Sequence, residues 1–142
     1  MNKVTIIILI ILIIWFLIFL GLKAFAKGKQ DSHPLEGEKA TYRKISAEKA
    51  KEMMDSGVKL TILDVRTPGE FAEGHVRGAI NIANETIGSY KVAALPDLDA
   101  TILVYCRSGA RSAQASKKLV ALGYTGVLDF GGIINWPFET VR

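Results

Sequence analysis

Residues 4–22, VTIIILIILIIWFLIFLGL, form a run of 19 residues without a charged side chain. At ~1.5 Å per helical residue such a run reaches about 28 Å, close to the ~30 Å hydrocarbon core of a bilayer. The pattern predicts a transmembrane helix within residues 1–26. Residues 27–40, KGKQDSHPLEGEKA, are polar and hold Gly28, Pro34 and Gly37. They read as a linker. From residue 41 to residue 142 the pattern changes, and short apolar runs alternate with helical periodicity.

In that region TYRKI is a short candidate strand. SAEKAKEMMDSG predicts a helix with Ser46 as N-cap and Gly57 just past its end. KLTILDVR is a β-branched apolar run, hence a buried strand ending near Asp64. PGEFAEG predicts a short helix opening at Pro68. GAINIA is a short strand, and IGSYKVAAL, residues 87–95, is read as a helix stopped by Pro96. ATILVYC is the clearest buried strand, SAQASKKLVALG a helix starting near Ser112, and GVLDFGG a last strand. Strands alternating with helices imply a parallel sheet covered on both faces. Such sheets bind ligands in the loops beyond the carboxyl ends of their strands. Cys106 lies at one such end, and Asp64 and Arg66 lie at another.

Charge is divided unevenly. The chain carries 18 basic and 14 acidic residues, net +4. Lys3, Lys23, Lys27 and Lys29 supply that excess within the first thirty residues, which hold no acid. The remainder is neutral. The basic balance belongs to the flanks of the apolar run, where lysines meet anionic head groups. It gives no support for nucleic-acid binding, which calls for a basic patch on the folded domain. The lysine excess after the run places the C-terminal domain on the cytoplasmic side. A cleaved signal peptide is the alternative, since AFA at residues 24–26 is similar to a cleavage site. The run exceeds the roughly 7–15 residues of a usual signal core, and Lys23 intervenes.

The chain has one cysteine, Cys106, so no disulfide can form within it. No His/Cys cluster has zinc spacing, and the sequence calls for no metal. Cys106 leaves a buried strand and enters Arg107, Ser108, Gly109, Ala110, Arg111 and Ser112. Gly109 permits backbone angles that other residues resist. A tight loop there would turn several N–H groups toward one point, and the following helix would aim its N-terminus at it. With the two arginines, these features favour a thiolate and would hold a small anion such as a sulfur oxyanion or a phosphate.

Three stretches, LDVRTPGEFAEGHVRGAINI, VYCRSGARSAQASKKLVALGY and DFGGIINW, resemble the single-domain rhodaneses, the sulfurtransferases. The resemblance covers roughly residues 41–138. It implies a rhodanese fold, a parallel sheet of about five strands flanked by helices. It implies that Cys106 takes a sulfane sulfur from thiosulfate or a persulfide donor, holds it as a persulfide, and passes it to cyanide or a thiol, including a protein thiol. No cofactor is implied beyond that covalent persulfide. Residues Arg107 to Ser112 would cradle the substrate, and Asp64 and Arg66 would be a supporting acid and base pair. His75 matches a family position taken as structural. Related phosphatases and arsenate reductases use C-x5-R spacing, whereas Cys106 and Arg111 are spaced C-x4-R, a smaller cradle that fits sulfur better than phosphoryl. The family usually runs on into a longer C-terminal helix. Here GGIINWPFETVR stops soon after Trp136, so that helix is short or missing. A sulfur carrier without turnover, or a binding module docked to a membrane partner, is the alternative to an enzyme.

Overall fold

The structure is a computed structural model that describes residue 2, residues 41–88 and residues 90–142. The apolar run of residues 4–22 lies outside the described residues. Among the described residues no helix is long and apolar enough to cross a membrane.

Five parallel strands make the main sheet, in the order β1-β6-β5-β2-β4. They are β1 (Arg43–Lys44), β2 (Leu60–Asp64), β4 (Ala79–Asn81), β5 (Thr101–Cys106) and β6 (Gly126–Gly132). A two-residue strand β3 (His75–Val76) pairs antiparallel with β7 (Thr140–Val141). Both central strands, β5 and β2, are apolar in consecutive positions because both faces of the sheet are covered. Ile102, Val104 and Cys106 of β5 point into one core with Leu63, Leu119 and Tyr124. Leu103 and Tyr105 point into the other with Ala50, Phe130 and Trp136. The two-residue period of a strand produces this division.

Among the described residues three helices flank the sheet: α1 (Ala47–Asp55), α2 (Pro68–Glu73) and α3 (Ala110–Ala121). Ser46 caps α1, its side chain accepting from the Lys49 N–H. Thr67 and Glu70 form a reciprocal capping box at the start of α2, with Pro68 at its first position.

Two expectations need correction. Residues 87–95 are not helical among the described residues. Tyr124 reaches under them instead: its hydroxyl donates to the Leu95 carbonyl at 2.7 Å and accepts the Val92 N–H at 3.2 Å. Those bonds replace the helical ladder, and the apolar side chains Ile87 and Leu95 are buried by packing rather than by helical periodicity. Helix α3 begins at Ala110, two positions before Ser112, because Gly109 at φ 103° turns the chain directly into it. After β6, residues Ile133–Asn135 make one 3-10 turn, and the chain ends in β7 rather than a helix. Trp136 packs between Phe130 and Phe138, with ring centroids at 5.4 and 4.9 Å.

Candidate active site

Cys106 ends β5 and is 1% exposed. Its chain turns through Arg107 and Ser108 to Gly109, whose N–H donates back to the Cys106 Sγ at 3.1 Å. Gly109 needs a left-handed backbone, which a side chain resists, and this conformation closes the turn in four residues. Helix α3 then starts at once at Ala110, and its first N–H groups have no partner within the helix. A developing negative charge on sulfur finds these dipoles already oriented.

The turn rests on the end of β6. Ser112 is fully buried, its hydroxyl 3.0 Å from the Gly109 carbonyl and 3.3 Å from that of Gly131. It fastens the turn to the sheet. The Ile134 N–H donates to the Arg107 carbonyl at 3.2 Å from the other side. A bulge in β6 brings Gly131 opposite Tyr105 and Gly132 opposite Cys106. A side chain on Gly132 would stand in the turn's place, whereas Gly131 has open space beside it and serves by its left-handed φ of 87°.

Asp64 and Arg66 pair closely. The Arg66 Nε lies 3.0 Å from both carboxylate oxygens, and its Nη2 donates to Oδ2 at 2.6 Å and to the Gly74 carbonyl at 2.7 Å. Asn81 ties the same segment down, its amide donating to the carbonyls of Asp64 and Arg66. The Arg66 guanidinium lies 5.7 Å from the centre of the Tyr105 ring, next in sequence to Cys106. Burial, then the nearby Asp64 carboxylate, pushes the Tyr105 phenol up, so it stays neutral. Its hydroxyl accepts the Val76 N–H at 3.1 Å. This network fixes the strand that carries the thiol. Among the described residues, neither Asp64 nor Arg66 hydrogen-bonds the 106–109 turn.

Arg111 stands in the first turn of α3. Its Nη1 and Nη2 each donate to one oxygen of Glu70 at 2.7 Å. Glu70 was not singled out from the sequence. TPGE is a readable capping box, but nothing local ties it to an arginine 41 positions away. The Arg111 hydrogen bonds hold the Glu70 carboxyl down to about 2. Glu70 in turn raises the Arg111 guanidinium.

Arg107, Ser108 and Ala110 are exposed around the turn. His75 stacks on Phe71 at 3.8 Å, with its Nδ1 3.0 Å from the Phe71 carbonyl, and closes the end of α2. Among the described residues no group of three His, Cys, Asp or Glu side chains is placed to hold a metal.

Residues 46–137 match the family model of the rhodanese-like domain. Thiosulfate sulfurtransferase PspE of Escherichia coli (strain K12) is 41% identical over 80 residues, covering 56% of this chain and 77% of that protein. Thiosulfate sulfurtransferase GlpE of Pseudomonas aeruginosa (strain LESB58) is 32% identical over 97 residues, covering 68% and 84%. Among solved structures, a rhodanese with anions from E. coli matches with a TM-score of 0.55 at 36% identity, over 59% of this chain and 99% of that one. The human single-domain sulfurtransferase TSTD1 matches with a TM-score of 0.59 at 27% identity, over 66% and 93%. A lone thiol, held between the central parallel strand and a helix start, thus sits in a fold shared with named sulfurtransferases, and the chain belongs to the rhodanese-like domain family.

Proposed function

We propose that the domain is a sulfurtransferase working through a persulfide on Cys106. The observation that carries this reading is the Gly109 N–H aimed at the Cys106 Sγ, at the start of α3. The Cys106 thiolate attacks the outer, sulfane sulfur of thiosulfate or of a persulfide donor. The donor S–S bond breaks, and its electron pair leaves on sulfite or on a thiolate. The product is Cys106–S–S⁻. A nucleophile such as cyanide or a thiol then takes the outer sulfur, and the Cys106 thiolate returns. No cofactor takes part. The backbone N–H groups of residues 107–112 hold the sulfur, with Ser112 fastening the turn beneath it.

The uncharged run of residues 4–22 and the lysines after it support a membrane-attached enzyme with its domain on the cytoplasmic side. Protease added to intact cells then spares the domain, and protease added to inverted vesicles removes it. Digestion in intact cells would overturn this placement.

The chemistry is tested by incubating the protein with thiosulfate and measuring intact mass, then adding cyanide and measuring thiocyanate. A gain of one sulfur atom, lost on adding cyanide and absent in Cys106→Ser, is expected. Serine is far less acidic and holds no stable sulfane sulfur. Sulfur transfer that survives in Cys106→Ser would overturn the mechanism. A sulfur-loaded protein that hands nothing to cyanide or dithiols would make it a carrier.

A further inference from the structure

Arg111 does not present a free positive charge to a substrate. Two of its N–H groups end on the two oxygens of Glu70, both at 2.7 Å. The carboxylate is fixed from behind as well. Its Oε2 accepts the Thr67 N–H at 3.1 Å and lies 3.1 Å from the Thr67 hydroxyl. The capping box of α2 therefore aims Glu70 at Arg111 before any donor arrives. The pair is about a quarter exposed on each side. The charge of Glu85 is also felt at Arg111. An anion approaching Arg111 meets a cation that is already matched.

We propose that Glu70 is a specificity-determining residue that turns the site toward sulfur donors of low charge, the monoanions R–S–S⁻, and away from the thiosulfate dianion. The inference rests on the sulfur-transfer reading and names its donor class. With either donor the Cys106 thiolate attacks the sulfane sulfur and the donor S–S bond breaks. Its electron pair leaves on RS⁻ or on sulfite, and Cys106–S–S⁻ forms without net oxidation. The two donors differ in the charge they bring into the cleft. A neutral Arg111–Glu70 pair offsets one negative charge less than a free arginine does, and the dianion loses more by this than the monoanion.

Thiosulfate and benzenethiosulfonate share the same sulfane-to-sulfonyl bond, and they carry two charges and one. Their kcat/KM values, with cyanide as acceptor, are to be compared in the wild type, Glu70→Gln, Arg111→Met and the double variant. Gln keeps an oxygen for the Thr67 cap, so α2 retains its start. Glu70→Gln is expected to raise the thiosulfate-to-benzenethiosulfonate ratio by about threefold to tenfold, the size of one unit charge acting on another in a solvated cleft. High salt should shrink that gain. Arg111→Met leaves Glu70 unmatched and should lower the ratio, and the double variant should return it near the wild-type value. A ratio in Glu70→Gln equal to or below that of the wild type would overturn the proposal. If that variant does not fold, an unchanged or raised ratio in Arg111→Met does the same. Absence of a sulfur adduct on wild-type Cys106 would instead overturn the sulfur-transfer reading, and the donor preference with it.

Discussion

Gly132 lies against the backbone of Arg107. A Cβ added to this glycine would stand 2.5 Å from the Arg107 carbonyl oxygen and 2.6 Å from the Ser108 Cα. Real Cβ atoms do not approach backbone so closely, so the end of β6 and the thiol-bearing turn are shaped to each other. Gly132→Ala should therefore displace the turn, with a stability loss of about 1–3 kcal/mol for overpacking. Sulfur transfer should fall by much more than the unfolded fraction accounts for. Denaturant midpoints and turnover on the same preparation check this; full activity in a stable Gly132→Ala protein would refute it.

The Asp64–Arg66 pair is buried, with side chains 0% and 7% exposed. Removing one member leaves an uncompensated buried charge, and Arg66→Met should cost about 3–5 kcal/mol. Replacing both by apolar residues should cost less than the sum of the single losses, because no orphan charge remains. A double-mutant cycle in denaturant measures this, and strict additivity would contradict the pairing.

Glu70 titrates at about 2 in the folded protein against an ordinary 4.5. The unfolded chain takes up the proton first as pH falls. The stabilisation by Glu70 is therefore complete above about 4.5, declines below it, and is gone near 2. The stability difference between the wild type and Glu70→Gln should be constant from neutral pH to about 5 and should close toward pH 2. Denaturant midpoints at several pH values test this. A difference that grows in acid would be inconsistent with the ion pair.

The turn closes through the Gly109 N–H onto sulfur, with no residue to spare. Adding one residue after Ser108 should move that N–H away and reduce sulfur transfer by roughly tenfold or more, the scale of losing one oriented donor at a reacting centre. The unaltered protein should hydrolyse no aryl phosphate. Robust phosphatase activity would contradict the reading of the short C-x4-R spacing.

The central strands were legible because each is a β-branched apolar run bounded by polar turns, and Cys106 and Gly109 were legible because they sit at the end of one. Ser46 and Pro68 marked helix starts through local chemistry that repeats wherever helices begin. Residues 87–95 misled for the opposite reason. Their apolar side chains answer to Tyr124, thirty or so positions away, and a local pattern does not report a distant hydroxyl. The Glu70–Arg111 pair was invisible on the same ground. Each residue has an adequate local explanation, one as a cap and one as a loop cation, and only the fold brings them together. The β3–β7 pairing involves two residues on each side, too few to produce an alternation.

A thiol this deeply recessed sets how near a reaction partner must come. Cys106 is 1% exposed, so the bare thiol meets only the tip of a reactant. In the proposed persulfide the outer sulfur would stand one S–S bond length, about 2 Å, beyond the thiol. Transfer in either direction would then run through that outer atom, and a reactant would need to reach it rather than Cys106 itself.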